Sequence, residues 1–245
     1  MFRFAAMAVV VTLAMSSAAF AAPAHPAVDP KAQAVIDAAK AAAGGAVWDK
    51  MAGWHEIGVH NGARYETWLD PHAWGMTTLE SREGVSSAKG FDGKTTWFKA
   101  KDGTVTVDAS DAAIADSKQS DYFSIDGYFE PARFPADVTY VGEQQEAGRT
   151  YDVLHFTPAG QGADIWFDRE THLPARGVIK DGDATIVIRL SDYQVVDGAA
   201  VPFHIQVSNG DPTHDDDGRI TSLDFGAAPR SVFQAPAQGP ATGHQ

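Results

Sequence analysis

Residues 175–207 read ARGVIKDGDATIVIRLSDYQVVDGAAVPFHIQV, with aliphatic and aromatic runs separated by two Asp-Gly pairs. Within the runs apolar side chains alternate with polar ones, which is the period of a half-buried β-strand. Asp-Gly favours tight hairpins because both residues tolerate the positive φ that such turns require. The segment therefore predicts antiparallel strands at 175–180, 185–190 and 203–207.

The same pattern continues on both sides of this segment, from Trp54 to Phe225. Asn61-Gly62, Asp92-Gly93 and Asp102-Gly103 add three turns of the same kind. Nine more strands are predicted, at 55–60, 64–69, 75–80, 95–100, 104–108, 138–141, 151–157, 164–168 and 221–225. About a dozen strands at this spacing predict one large, curved antiparallel sheet with few helices, in the α+β class but mainly β.

Two segments depart from the strand pattern. Pro30 to Lys50 has a weak apolar face at helical spacing and begins with proline, which predicts an amphipathic helix that packs on the sheet. Ser110 to Phe129 gathers aromatic residues among polar ones, and Asp111 is suited to cap a short helix there. This second segment either covers one end of the sheet as core or acts as a lid over a pocket.

The two ends of the chain predict processing and disorder. Arg3, the apolar run that follows it and the small residues 16–22 are typical of a signal peptide at 1–21, cleaved before Ala22. Residues 230–245 are rich in Ala, Pro, Gln and Gly, which predicts a disordered tail. One domain at 22–229 lies between them, and the leader predicts a periplasmic location.

Composition excludes several classes of protein. The chain has no cysteine, so disulfides, thiolate metal sites and a lipidated cysteine are excluded. A formal charge of −13 without a basic cluster argues against nucleic acid and against anionic membrane surfaces as partners. No later segment reaches the length of a membrane span.

The polar motifs do not assemble a recognisable catalytic or metal site. None of the histidines falls in a helical pair with metal-ligand spacing, so we expect no metal. Asp211–Gly218 echoes a calcium loop incompletely, because Thr213 and Asp224 stand where Asp and Glu belong. A solvated turn is the favoured interpretation, with calcium left open.

No enzyme class is supported by a motif. The chain lacks a G-x-S-x-G elbow and the Asp-Thr-Gly or Asp-Ser-Gly of aspartic proteases. No two Asp or Glu residues stand out in the sequence as a pair for hydrolysis by two carboxylates. We therefore expect no catalytic residue, no cofactor and a non-enzymatic protein, with a hydrolase as a remote alternative.

Aromatic residues are the remaining candidates, because large rings fill either a core or an apolar pocket. If the sheet is concave and the segment 110–129 is a lid, the ring-bearing residues of both would line the pocket. The predicted ligand-binding residues are Trp97, Trp166 and Phe203 on the sheet, and Tyr122, Phe123, Tyr128 and Phe129 on the lid.

Four segments together resemble a known family. They are Gly90–Trp97, Asp121-Tyr122-Phe123 through Arg133, Ile165–Arg176, and Asp192-Tyr193 through Pro202-Phe203. In order and spacing they are similar to periplasmic lipoprotein-carrier (LolA-like) domains. The most similar variant is the domain that precedes secreted bacterial retropepsin-like aspartyl proteases, although the protease part is absent here.

The resemblance implies an unclosed antiparallel half-barrel wrapped over helices, with an apolar cavity that holds acyl chains in the carriers. It implies an apolar ligand, such as a lipid or a lipoprotein acyl chain, and no catalytic residue. The alternative is an accessory module that binds a periplasmic protein partner.

Overall fold

The structure, a computed structural model, describes residues 28–159 and 162–237. In this part of the chain it contains one unclosed antiparallel sheet of thirteen strands, as the sequence predicts, in the order β6-β5-β4-β3-β2-β1-β13-β12-β11-β10-β9-β8-β7. The strands are β1 (Trp54–His60), β2 (Ala63–Leu69), β3 (Met76–Arg82), β4 (Val85–Phe91), β5 (Thr96–Lys99), β6 (Val105–Asp108), β7 (Asp137–Glu146), β8 (Arg149–Thr157), β9 (Ala163–Asp168), β10 (Pro174–Asp181), β11 (Ala184–Val196), β12 (Ala199–Ser208) and β13 (Asp216–Asp224).

The turn dipeptides are confirmed, because each of the five lies at a junction between consecutive strands. Asn61-Gly62 has φ values of 44° and 80°, and Asp197-Gly198 has 47° and 90°, as a type I′ hairpin requires. These dipeptides therefore set the pairing of β1 with β2 and of β11 with β12.

One strand, β4, is absent from the sequence prediction. Its residues VSSAKGF lack apolar alternation, and Val85 is the only β-branched residue among them. Gly90 is needed there, because a Cβ at this position would lie 2.5 Å from the ring of Trp97 on β5. The strand forms because its neighbours β3 and β5 pair with it on both sides.

The first helix ends earlier than predicted. Helix α1 spans Pro30–Ala42, capped by Asp29, and Gly45–Lys50 forms a separate 3-10 helix. Gly44 breaks the helix with φ of 117°, and a Cβ there would lie 2.3 Å from the backbone oxygen of Gly198. Close approach to the β11–β12 turn therefore stops the helix.

The second helix crosses the sheet. Strands β6 and β7 follow each other in sequence but form the two opposite edges of the sheet. The segment between them must therefore span the sheet, and it does so with helix α2 (Asp111–Ser124) and a 3-10 turn at Gly127–Phe129. The capping side chain is that of Ser110, which accepts from Ala113 N, so the prediction of Asp111 as the cap is wrong.

Ordered structure continues past the predicted domain boundary at 229. Arg230–Phe233 forms a 3-10 helix, and the side chain of Phe233 is buried. Arg230 donates to Asp70 and to the backbone oxygens of Trp74 and Asp92. The packed domain therefore reaches at least Phe233, and the prediction of disorder from 230 is wrong there. The predicted signal peptide and residues 238–245 of the tail lie outside the described residues.

Candidate ligand-binding cavity

A cavity of about 850 Å³ lies between the sheet and helix α2. Strands β1–β4 and β10–β13 both contribute to its wall, so the sheet curves around it. The residues of α2 that line it recur every three or four positions, which is one face of a helix. They are Ala112, Ala115, Asp116, Gln119, Ser120, Phe123 and Ser124. The side chains of this cavity-facing stripe are small or polar, except for that of Phe123.

The half of the wall formed by β10–β13 is mainly apolar. Branched aliphatic side chains dominate it, namely Ile179, Ile186, Ile188, Leu190, Val201, Ile205 and Ile220. On β11 the alternation of the strand directs Ile186, Ile188 and Leu190 to this one face. An apolar molecule placed here would exchange water for aliphatic contacts.

The other half of the wall is partly polar. Glu56, Thr67, Thr78 and Lys89 lie on adjacent strands β1–β4 and all line the cavity. Glu56 accepts a hydrogen bond from Trp54 Nε1 at 2.9 Å. Burial raises the pKa of its carboxyl above the ordinary value, against the lowering effect of the hydrogen bonds from Trp54 and Tyr65.

Two carboxyls lie at the C-terminal end of α2, of which Asp121 is fully buried and Asp126 is half-buried. Asp121 Oδ2 accepts from Gly75 N at 2.8 Å, while its buried Oδ1 has no hydrogen-bond partner. Burial raises the pKa of Asp121 to about 7, and nearby Asp70 acts in the same direction. Asp126 accepts from the hydroxyl of Tyr128, and burial raises its pKa to about 6.

The N-terminal half of α2 packs less tightly. Among residues 111–120 none is buried, whereas Asp121 and Tyr122 are both buried. The helix is therefore anchored at its C-terminal end, and its other end rests over the cavity.

Of the four aromatic residues predicted on the lid, one lines the cavity. Phe123 is partly exposed and belongs to the lining, in edge contact with Tyr122 at 5.1 Å between ring centroids. Tyr122, Tyr128 and Phe129 are 1–4% exposed and belong to the hydrophobic core. The structure therefore places these three among the rings that fix the segment to the sheet.

The three aromatic residues predicted on the sheet are not brought together. Trp166 pairs in register with Arg176, and the Arg176 guanidinium lies 4.5 Å from the centroid of the Trp166 ring. Both side chains lie on the face of the sheet opposite Ile165. Phe203 packs against the core from the cavity side of β12 but is not in the lining. Trp97 borders a second cavity of about 550 Å³, which shares Met76 and Lys89 with the first.

Trp97 supports the C-terminal segment. Its Nε1 donates to the backbone oxygen of Phe233 at 2.8 Å, and Thr77 donates to that of Val232 at 2.9 Å. Thr77 alternates with the cavity-lining Met76 and Thr78, so this contact lies on the opposite face of the sheet.

The Trp97→Phe variant is expected to lower the free energy of unfolding by about 1–3 kcal/mol, because a buried carbonyl loses its donor. The affinity for an apolar probe should not change. Urea denaturation and probe titration of the same variant measure both quantities. Weaker probe binding at unchanged stability would contradict this placement.

The segment 211–218 is only partly a loop. Pro212–His214 forms a 3-10 turn, but Asp216–Gly218 already belongs to β13, which corrects the prediction of one solvated turn. Asp217 Oδ2 accepts from Gln206 Nε2 and lies 3.0 Å from His204 Nε2. Within 28–159 and 162–237 no three His, Asp or Glu side chains converge to hold a metal ion.

No helix in the described part of the chain is long and apolar enough to cross a membrane. No family model matches the chain, and no curated protein matches it.

Solved structures do match. A LolA superfamily protein from Nitrosomonas europaea has a TM-score of 0.55 at 10% identity, covering 82% of this chain and 96% of that one. A DUF1329 family protein from Desulfovibrio piger has a TM-score of 0.56 at 16% identity, with the same coverage. At such identities the likeness concerns the fold. The chain therefore has a LolA-like fold, an unclosed antiparallel sheet wrapped over a few helices.

Proposed function

We propose that this protein is a non-enzymatic binding or carrier protein that holds the apolar part of a lipid, an acyl chain or a lipoprotein between α2 and the sheet. The observation that carries the proposal is the cavity of about 850 Å³ with its aliphatic wall on β10–β13. This volume lies within the range of pockets that enclose small ligands. The LolA-like fold of the structural neighbours supports the same function.

The energy available from the aliphatic wall is sufficient for binding. Micromolar affinity corresponds to about −8 kcal/mol. Burial of about 500 Å² of apolar surface, counted on the ligand and the wall together, supplies about 12 kcal/mol at about 25 cal/mol per Å², and an association cost of about 4 kcal/mol leaves this amount. We therefore expect micromolar affinity for a single acyl chain.

The location follows from the sequence rather than from the fold. The predicted signal peptide at 1–21 would deliver the mature chain to the periplasm, where an apolar chain needs shielding from water. Export is tested by N-terminal sequencing of protein from the periplasmic fraction, which should begin at Ala22.

The cavity is tested by a matched pair of variants on one strand. Ile188 lines the cavity, and its neighbour Val187 alternates to the other face of β11. We expect Ile188→Lys to weaken a fluorescent fatty-acyl probe at least 10-fold, since it places a charge in the aliphatic wall. Val187→Lys, the control for an added charge, should bind as the wild type does. Equal affinity for both variants would contradict the proposed site.

The alternative is an accessory module related to the domain that precedes retropepsin-like proteases. It predicts a protein partner and no bound lipid. Affinity capture from a periplasmic extract, analysed for both protein and lipid, separates the two. A stoichiometric protein partner on lipid-free protein would favour the module.

A further inference from the structure

A row of polar side chains crosses the cavity wall. In the strand register Glu56 pairs with Thr67, Thr67 with Thr78, and Thr78 with Lys89. All four line the cavity, and the hydroxyls of Thr67 and Thr78 lie 3.0 Å apart. At the usual spacing between strands the row extends about 14 Å. We refer to these four residues as the polar row.

The polar row differs from the apolar side of the cavity. One neighbouring register row on the same strands, Trp54–Leu69–Met76–Phe91, is apolar, and so is most of the wall on β10–β13. The register row on the other side, Gly58–Tyr65–Glu80–Ser87, does not line the cavity. A wall built only to hold an acyl chain would gain from aliphatic side chains at these positions, since polar groups cost free energy when a chain covers them.

The facing side of α2 is also polar. Gln119, Ser120 and Ser124 belong to its cavity-facing stripe. Gln119 is fixed in place because its Oε1 accepts from Gly162 N at 3.0 Å. Hydroxyl and amide groups therefore reach the cavity from the helix as well as from the sheet.

The charges around the cavity argue against an anionic ligand group. Three carboxylates line the cavity, those of Glu56, Asp116 and Asp126, against the two ammonium groups of Lys89 and Lys180. Lys180 already donates to Thr185 at 2.6 Å. The polar row itself has the acid Glu56 at one end and Lys89 at the other, with two hydroxyls between them.

On the basis of the proposed function, we infer that the ligand is an amphiphile with an uncharged, hydroxyl-bearing head group. The polar row binds the head group, and the aliphatic wall of β10–β13 binds the chain. Hydroxyls of the ligand suit Thr67 and Thr78, because each threonine hydroxyl both donates and accepts. Head-group preference is then set on β2 and β3, apart from the residues that bind the chain.

The test compares three probes with the same chain, namely 1-dodecanoylglycerol, dodecanoate and dodecylammonium, each below its aggregation threshold. Intrinsic fluorescence can report binding, because Trp54 lines the cavity. We expect the glycerol ester to bind about 10-fold more tightly than either charged probe. A charged probe that binds as tightly or more tightly would overturn the inference.

The double variant Thr67→Val/Thr78→Val tests whether the polar row causes the preference for the glycerol ester. It replaces both hydrogen-bonded partners by side chains of the same shape, which preserves the fold. We expect the ester to lose about 10-fold in affinity and dodecanoate to change less than twofold. Thr221→Val, which removes an exposed hydroxyl bonded to Ile57 O outside the cavity, should change neither probe.

The outcomes separate the two proposals. If all three probes bind and the ratio of their affinities is the same in the double variant as in the wild type, the head-group inference is overturned and the proposed carrier function stands. No binding of any probe to the wild type would overturn the proposed function itself.

Discussion

The Phe129→Ala variant is expected to lower the free energy of unfolding by about 3–5 kcal/mol. Phe129 is 3% exposed, and its ring lies 5.0 Å from that of Trp48 and 4.7 Å from that of Tyr128, centroid to centroid. Removal of such a ring leaves a cavity among side chains that cannot all relax. Urea denaturation measures the loss.

Phe123→Ala is the matched variant, since it removes the same ring from the same segment. Phe123 is partly exposed at the cavity, so we expect a smaller stability loss and a clear loss of affinity for an acyl probe. Phe129→Ala, measured under conditions in which the variant is still folded, should keep most of its affinity for the acyl probe. If the two variants lost stability equally and Phe123→Ala bound the probe normally, the segment would be core throughout and the lid would be disproved.

The second large effect concerns Asp121, whose pKa is raised from 3.8 to about 7. A raised carboxyl pKa means that the folded state binds the proton more tightly than the unfolded state does. The resulting stability is fully present below about pH 4 and is lost as the pH rises to about 7. From the size of the shift, the loss is on the order of 4 kcal/mol.

Asp121→Asn should remove this dependence, because the amide does not ionise. Asn can still accept from Gly75 N, so we expect similar stability at pH 4 and a more stable variant at pH 8. Urea denaturation across this range is the measurement, and Asp116→Asn controls for the loss of one negative charge on the same helix. Curves for wild type and Asp121→Asn that run parallel from pH 4 to 8 would contradict the buried carboxyl.

Asp126 contributes to the pH dependence with the same sign. Its pKa of about 6 predicts that the stability it provides is lost between about pH 4 and pH 6. Asp121 lies in the last turn of α2, and Asp126 lies just after that helix. Tighter anchoring of the lid in mild acid is therefore expected, and hydrogen exchange of the amides of α2 would report it.

The sheet was predictable because the residue types in its turns determine the turn conformation locally. Asn61-Gly62 and Asp197-Gly198 specify positive φ by themselves, independent of any distant contact. Strand β4 was not predictable in this way, since VSSAKGF pairs only because β3 and β5 flank it. The early end of α1 depends on Gly198, more than 150 residues away along the chain.

The cavity residues were harder to predict than the fold. From residue type alone, Tyr122 and Phe123 could each line a pocket or fill the core. Only the face of α2 on which each residue lies separates these two roles. A signal did exist in the sequence. Ala112, Ala115, Gln119 and Phe123 recur at helical spacing, and small or polar residues on the inward face of a helix indicate space beneath it.

The polar row could not be read from the sequence, because Glu56, Thr67, Thr78 and Lys89 are 11 residues apart in each step and belong to four strands. Their alignment depends on the register of three consecutive hairpins. One of those hairpins includes β4, the strand that the sequence pattern does not show.

The central claim is that the cavity carries an apolar ligand, and the most direct test is mass spectrometry of lipids extracted from protein purified without detergent. We predict lipid in near-stoichiometric amount with the wild type and with Val187→Lys, and little with Ile188→Lys. Lipid-free wild type, or the same lipid content in all three proteins, would contradict the account.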